Sequence, residues 1–178
     1  MMNMQNFSEI ETATYNYKKM LNDVSITRYN AKEEVIFIPA EFEQLPIYYI
    51  DKNAFLDTDI KELEIGANIV SIGQCAFKNT KLEYLEIPGN VKTIERGAFM
   101  DCSKLKVVKM IEGVEYIDSE VFANCEKLKE ICLPESIEYI GDSVFENIEK
   151  KINVITENEY VIKKLKDLKQ NINIKNEK

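Results

Sequence analysis

Hydrophobic positions recur along the chain in a fixed order. A six-residue phrase begins with isoleucine and ends with alanine or valine followed by phenylalanine; its five copies lie at 50–55, 72–77, 94–99, 117–122 and 140–145. The isoleucines are 22 or 23 residues apart, a period typical of stacked repeat proteins. Neighbouring units of such a protein bury apolar residues against each other and leave an extended surface free for binding.

Each repeat also contains a short alternation of apolar and other residues. Leu85 and Ile87 flank Glu86, as in a strand with one buried face. The same alternation occurs at 36–38, 63–65, 108–110 and 131–133, and proline directly follows it at Pro39, Pro88 and Pro134. Proline ends a strand because it has no N–H for the next ladder bond. The pattern predicts a row of short parallel strands.

The phenylalanine that closes each phrase is the predicted interior residue. We expect the five rings to stack as a column in the core: Phe55, Phe77, Phe99, Phe122 and Phe145. Aspartate or glycine follows the isoleucine in four copies, which suits the start of a short helical turn on the return path. These four residues are Asp51, Gly73, Asp118 and Gly141.

Small polar residues follow three positions after the phenylalanine, at Thr58, Thr80, Cys102 and Cys125. A hydroxyl or thiol at this point can bond loop backbone that no strand satisfies. Neighbouring coils could also bring Cys102 and Cys125 within range of a disulfide. Threonine at the same position in two earlier repeats favours structural thiols instead, so we expect no disulfide.

The chain is predicted to form one domain over 1–178, divided into four segments. These are a flexible start at 1–11, an N-terminal hairpin cap at 12–34, five repeats at 35–148 and a C-terminal strand–helix–strand cap at 149–178. The hairpin is formed by 14–18 and 24–28 around a turn at Asn22 and Asp23, while 1–10 is ragged or a short helix.

The C-terminal segment contains a capping-box pattern. Thr156 and Glu159 have the spacing that opens a helix, and we expect this helix to reach about Gln170. Its apolar residues share one face and should lie across the last coil: Val161, Ile162, Leu165 and Leu168. Ile172 and Ile174 add a short terminal strand.

The repeat resembles the leucine-rich repeats of the bacterial surface antigen type, called BspA-like. The resemblance rests on Leu-x-x-Leu-x-Ile-Pro at 82–88, Ile-Gly-x-x-Ala-Phe at 72–77, and Phe-x-x-Cys at 99–102 and 122–125. It implies an α/β-type leucine-rich-repeat solenoid, right-handed and curved. A parallel β-sheet lines its concave side, with short helical turns and loops on the convex side. It also implies a binding or adhesion role, often at a cell surface, and no shared catalytic residues.

Composition narrows the function classes. The formal charge of −8 argues against nucleic acid or an anionic membrane as the main partner. The lysines at 163–169 lack interleaved aromatic residues and are interpreted as a solvated helix face. No apolar run approaches the roughly 20 residues of a membrane span. The chain contains no histidine, which removes the commonest general base and metal ligand. We expect no enzyme activity, cofactor or metal site.

The residues between the buried strand positions define the candidate binding face, because strand side chains alternate in direction. They are Val35, Phe37, Glu62, Glu64, Tyr84, Glu86, Val107, Lys109, Glu130 and Cys132. Strands about 4.8 Å apart would place Glu64 beside Glu86, with Lys109 next in line. For any single residue a solvated sheet face is the simpler interpretation. Together, Phe37, Tyr84 and Val107 beside carboxylates favour a binding surface.

The functional prediction is a monomeric, non-catalytic module that binds a protein partner on its concave face. Two alternatives remain: a cell-surface adhesin that binds host protein or glycan, and a structural subunit that assembles through its caps. The start of the chain has no basic segment before an apolar stretch, so it predicts no secretory signal. The protein is therefore expected inside the cell, or at its surface if a leader is removed.

Overall fold

The computed structural model describes residues 7–168 and 171–175. Its elements, in chain order, are β1 (Ser8–Glu11), β2 (Tyr15–Lys19), β3 (Val24–Tyr29), β4 (Val35–Ile38), β5 (Glu41–Phe42), β6 (Leu45–Ile50), β7 (Glu62–Ile65), β8 (Ser71–Ile72), β9 (Tyr84–Ile87), β10 (Thr93–Ile94), β11 (Val107–Met110), β12 (Tyr116–Ile117), β13 (Glu130–Cys132), β14 (Tyr139–Ile140), β15 (Ile152–Ile155), α1 (Glu159–Asp167) and β16 (Ile172–Lys175).

The longer repeat strands form one row, here called the front sheet, which corresponds to the sheet predicted on the concave side. It contains β4, β7, β9, β11, β13, β15 and β16, all parallel to their bonded neighbours. The row has seven strands, so the stack extends past the five predicted repeats into the C-terminal segment. The ladder is divided in two, because β4 pairs with β7 while β9 begins a separate five-stranded ladder.

The return paths form a second parallel ladder, here called the back sheet. Its two-residue strands β8, β10, β12 and β14 stack in register and continue the longer strands β3 and β6. The isoleucine of each phrase is buried on this sheet. In each of β8, β10, β12 and β14 the residue before the buried isoleucine is more exposed, as side chains alternate along a strand. Part of each return path is therefore extended.

The prediction of short helical turns on the return path is wrong. Two left-handed residues interrupt each of the first four turns, for example Asn53 (φ 61°) and Asp57 (φ 60°) around Phe55, and one, Asn147, interrupts the fifth. Right-handed helix cannot continue through such residues. The turns bond the next coil instead: the Phe55 N–H donates to Ala76 O at 2.7 Å, and the Phe77 N–H to Ala98 O at 2.8 Å.

The phenylalanine rings form a continuous column inside the solenoid. Centroid distances from Phe55 to Phe145 are 4.7, 5.3, 5.8 and 6.2 Å, and all four pairs are stacked. The first four rings are fully buried. Aromatic stacking and burial therefore connect every coil to its neighbours.

At the N-terminal end, the predicted hairpin is confirmed: β2 and β3 pair antiparallel. The flexible start predicted at 1–11 is wrong for Ser8–Glu11, which forms β1 on the free edge of β2. Residues 1–6 of that segment lie outside the described residues. The insertion in the first coil is the tight hairpin of β5 and β6. Glu43 and Gln44 both adopt positive φ in its turn, as in a two-residue hairpin loop.

At the C-terminal end, α1 packs against β14 with Val161 and Leu165 buried. Its N-cap is Asn158, whose side chain accepts from the Val161 N–H at 3.0 Å. Thr156 is therefore not the cap; its Oγ1 accepts from the Asn158 N–H. The helix ends at Asp167, and Gln170 lies outside the described residues. The predicted terminal strand is confirmed as β16, which pairs with β15.

Candidate binding surface

The outward positions of the front sheet define the candidate surface. Val35, Phe37 and Tyr84 expose 63%, 56% and 50% of their accessible area. Glu62, Glu64, Glu86 and Lys109 are also exposed, whereas Val107, Glu130 and Cys132 are half-buried. Aromatic and aliphatic groups therefore stand in water between charged residues. Their inward neighbours anchor the strands; Leu85, Ile87 and Val108, for example, are completely buried.

Tyr84, Glu86 and Lys109 form a polar network on this surface. The Tyr84 hydroxyl donates to Glu86 Oε2 at 3.0 Å, and Lys109 Nζ lies 3.5 Å from the same oxygen. The β9–β11 register places Glu86 directly beside Lys109. Burial of the ring and the hydrogen bond to Glu86 raise the pKa of Tyr84. The network holds a phenol ring in a fixed orientation at an exposed site.

The hydrogen-bond ladder of the front sheet is interrupted between β7 and β9, but the two strands stay in contact, and the Lys81 N–H donates to Ile60 O at 2.9 Å just before them. Glu62 and Glu64 pair in register with Val35 and Phe37 across β4 and β7. Glu86 belongs to the other ladder, where its bonded neighbour strand supplies Lys109. The expected row of Glu64, Glu86 and Lys109 is therefore only partly formed as a continuous ladder. The N-terminal part combines apolar residues and carboxylates, and the C-terminal part contains the polar network.

The half-buried members lie near the C-terminal end of the surface. Val107 is in register with Glu130, and Lys109 with Cys132. Cys132 and Lys109 border a cavity of about 320 Å³ whose other walls include Leu133, Pro134 and Thr156.

Three of the four small polar residues that follow a column phenylalanine bond the backbone, as the sequence predicts, whereas Thr80 Oγ1 lies 3.2 Å from Cys102 Sγ. Thr58 Oγ1 donates to Phe55 O at 2.8 Å. Cys102 Sγ and Cys125 Sγ each lie 3.3 Å from the carbonyl oxygen of the phenylalanine one coil earlier. The hydrogen bond to Cys102, together with burial, raises the pKa of Cys125 well above its usual range. A buried protonated thiol of this kind is a poor nucleophile.

A ladder of side-chain amides was missed by the sequence analysis. Asn79 Nδ2 donates to Asp57 Oδ1, Asn124 Nδ2 to Asp101 Oδ1, and Asn147 Nδ2 to Asn124 Oδ1, at 2.6–2.9 Å. All five residues adopt left-handed backbone conformations, which asparagine and aspartate tolerate best among residues with a Cβ. The signal is visible in the sequence, because each residue lies two positions after a column phenylalanine.

A tyrosine pair on the back sheet was also missed. The exposed rings of Tyr116 and Tyr139 stack at 4.4 Å with an interplanar angle of 9°, on strands that pair in register. Their signal is the tyrosine that directly precedes the isoleucine of the phrase. The back sheet therefore presents an aromatic surface of its own.

Within residues 7–168 and 171–175, no group of three or more Asp, Glu or Cys side chains is arranged to hold a metal ion. The helix found there is also too short and too polar to cross a bilayer. The carboxylates of Glu62, Glu64 and Glu86 on the front sheet are exposed to solvent. The arrangement can bind through apolar contact, hydrogen bonds and charge.

Parallel coils of 22–23 residues, each with one strand in a common sheet, define a leucine-rich-repeat solenoid. The chain belongs to the BspA type leucine-rich repeat family, whose repeat region matches residues 48–174 in six copies. This confirms the family resemblance derived from the repeated phrase. No curated protein sequence matches the chain.

Solved structures with the same fold are bacterial. A leucine-rich repeat protein from T. pallidum has a TM-score of 0.75 at 24% identity, over 82% of this chain and 71% of that one. A leucine-rich cell surface protein from Faecalibacterium prausnitzii has a TM-score of 0.67 at 26% identity, over 85% of this chain and 46% of that one. The pneumococcal vaccine antigen PcpA has a TM-score of 0.67 at 21% identity, over 85% of this chain and 51% of that one. The chain thus spans about half the length of the last two.

Proposed function

We propose that the protein is a non-catalytic interaction module whose front sheet binds a protein partner. The observation that supports this most directly is the Tyr84–Glu86–Lys109 network. A tyrosine held by a hydrogen bond offers a large rigid contact, and such residues dominate the binding energy of protein interfaces.

The composition of the surface around the network supports the same function. Phe37 and Val35 are more than half exposed at the other end of the sheet, although an apolar side chain in water gains free energy from being covered. Apolar groups at one end and the charged network at the other match the mixed character of protein interfaces. The surface therefore favours a partner that combines an apolar patch with polar groups for Tyr84 and Glu86.

The double variant Tyr84→Ser/Glu86→Gln tests this proposal. Wild-type protein and variant are immobilised and exposed to extracts of the native cell and of candidate host cells, and retained proteins are quantified by mass spectrometry. We expect one partner to be retained by the wild type and lost with the variant. The free energy of unfolding should change by less than about 0.5 kcal/mol, because both residues are surface positions.

The matched control is Tyr139→Ser/Glu138→Gln, which removes the same residue types from the back sheet. It should retain the partner like the wild type. If the front-sheet variant captures the partner as well as the wild type does, the front sheet is not the binding surface.

A cell-surface adhesin is the second candidate. It is favoured by the similarity to the F. prausnitzii protein described as a leucine-rich cell surface protein, at 26% identity. Fractionation of the native cell with an antibody against the folded protein separates the two candidates. An exclusively intracellular pool would eliminate the adhesin.

A further inference from the structure

Four lysines occupy one repeat position in four consecutive coils. Lys81, Lys104, Lys127 and Lys150 are each 23 residues apart, and each lies three residues before an outward position of the front sheet. Those outward positions are Tyr84, Val107, Glu130 and Asn153, which pair in register from strand to strand. The four residues are here called the lysine row.

The strand pairing brings the lysine row into a line along the solenoid. Backbone bonds next to the row confirm the stacking of these coils: the Lys106 N–H donates to Glu83 O, and the Lys129 N–H to Lys106 O, both at 2.9 Å. With coils about 4.8 Å apart, the row spans about 14 Å. Four positive charges therefore follow the corner between the turns and the front sheet.

A neighbouring row of side chains contains ion pairs that the lysine row lacks among the described residues. Two residues further along the chain, acids and lysines of neighbouring coils form ion pairs: Glu34 pairs with Lys61, and Glu83 pairs with Lys106. Among residues 7–168 and 171–175, no member of the lysine row forms an ion pair. Like charges in line repel each other. The pKa of Glu83 is lowered mainly by its hydrogen bond with Lys106 and further by Lys127 and Lys104. This acid therefore offsets part of the repulsion, and an anion along the row would offset more of it.

A polar cavity lies at the C-terminal end of the row. Its volume is about 350 Å³, and it is lined by Lys127, Lys150, Asn147, Glu126 and Glu149. All five residues are exposed, so the cavity is an open depression that can contact one side of a ligand. Amide and carboxylate groups bond the hydroxyls of a sugar ring, and lysine pairs with an acidic substituent.

We propose that the lysine row and this cavity bind an anionic polysaccharide. A linear glycan with a carboxylate or sulfate on successive units can run along the row while one of its rings enters the cavity. The site lies on the corner of the coil and is independent of the protein-binding function of the front sheet.

Two other anionic partners fit the surroundings less well. Base stacking on aromatic or arginine side chains is the usual support for single-stranded nucleic acid, and neither type occurs in the row or the cavity wall. An acidic protein would need apolar anchors at the centre of its interface, where lysine and glutamate are depleted. Hydroxyl-rich sugars match a wall made of Asn, Glu and Lys.

The test compares the quadruple variant Lys81→Gln/Lys104→Gln/Lys127→Gln/Lys150→Gln with the wild type. The probes are heparin as the sulfated glycan, polygalacturonate as the carboxylated glycan, and dextran as the neutral control. We expect the wild type to bind at least one acidic glycan despite its net charge of −8, and to ignore dextran. The variant should bind at least about tenfold more weakly, because four charge pairs are lost.

A second quadruple variant controls for net charge. Lys52, Lys163, Lys166 and Lys175 are exposed elsewhere, and their replacement by Gln should change affinity less than about twofold. Thermal unfolding monitors the folding of both variants, which carry the same net charge. If the first variant fails to fold, Lys127→Gln/Lys150→Gln replaces it, with the same direction of effect.

The proposal is overturned if the wild type binds neither acidic glycan, or if the control variant loses as much affinity as the row variant. It is also overturned if polyglutamate or single-stranded DNA binds the row more tightly than the glycans, since the site would then serve another class of polyanion. The Tyr84→Ser/Glu86→Gln protein should bind the glycan normally, which separates this site from the front sheet.

Discussion

The aromatic column has the same ring spacing in the middle of the solenoid and at its N-terminal end, but the residue type changes and the interplanar angle increases from 3° to 26°. In the middle, Phe77 and Phe99 are 5.3 Å apart with an interplanar angle of 3°. At the end, Tyr29 stacks on Phe55 at the same distance of 5.3 Å, and Tyr15 packs against Phe55 edge-on at 6.2 Å.

The difference shows how the surroundings of a ring select its chemistry. The middle rings have a coil on each side and are completely buried, so a hydroxyl there would have to find a partner in an apolar interior. At the end, the Tyr15 hydroxyl donates to Phe37 O at 3.0 Å, on the first strand of the front sheet. The Tyr29 hydroxyl donates to Glu33 Oε2 at 2.7 Å. Tyrosine thus closes the column and satisfies polar groups of the end coil.

Removing a middle ring should have the largest effect. We expect Phe99→Ala to lower the free energy of unfolding by about 3–5 kcal/mol, because the variant loses a buried ring and leaves a cavity between two others. Phe145→Ala should cost less, since Phe145 ends the described stack and is slightly exposed. Urea unfolding measures both. Equal losses at the two positions would show that stacking on both faces of a ring adds no stability beyond stacking on one face.

A reciprocal exchange tests the chemical difference directly. Phe77→Tyr should lower the free energy of unfolding by about 1–3 kcal/mol, because it buries a hydroxyl without a partner. Tyr29→Phe should lower it by about 1–2 kcal/mol, because it removes a bond to a carboxylate. Tyr160→Phe, at an exposed position of α1, is the control and should have almost no effect. A neutral Phe77→Tyr variant would mean that the middle column accepts a polar ring.

The central coils could be predicted from sequence because burial restricts the residues that fill them. Isoleucine and phenylalanine recur at fixed positions, and their spacing predicts both the strands and the ring column. The return path was predicted as helical because Asp51 and Gly73 suit a helix start. The first left-handed residue of each turn has no common type, as Asn53, Cys75 and Glu120 show. The second is always Asn or Asp, a signal that the sequence contains and that the prediction did not use.

Other features depend on contacts that a single repeat does not reveal. β1 forms because the edge of β2 is available to residues 8–11, whose own sequence gives no clear strand pattern. The hydrogen-bond ladder is interrupted between β7 and β9, where equivalent strand positions are 22 residues apart (62 to 84) and not 23 as in the bonded strands that follow (84 to 107). The lysine row is periodic in the sequence, but the pattern of apolar residues does not reveal it because its members are charged. The sequence therefore predicts which residues form the candidate surface, but it does not predict the interruption of the hydrogen-bond ladder between β7 and β9.

The smallest expected effect concerns the titration of the N-terminal tyrosines. Burial, with repulsion from Tyr17 and Glu33, raises the pKa of Tyr15 to about 12, and burial also raises the pKa values of Tyr17 and Tyr29. A raised pKa means that the folded protein favours the neutral phenol. The resulting contribution to stability is complete below the unfolded pKa of about 10 and is lost as the pH rises toward 12.

Urea unfolding of the wild type and of Tyr15→Phe at several pH values from 9 to 12 measures this contribution. The wild type should lose more stability than the variant over that range, because only the wild type carries a phenol at this position. Lysine deprotonation affects both proteins equally and cancels in the comparison. Parallel curves would mean that Tyr15 titrates normally in the folded protein, and that the tyrosine end of the column is as open to water as a surface ring.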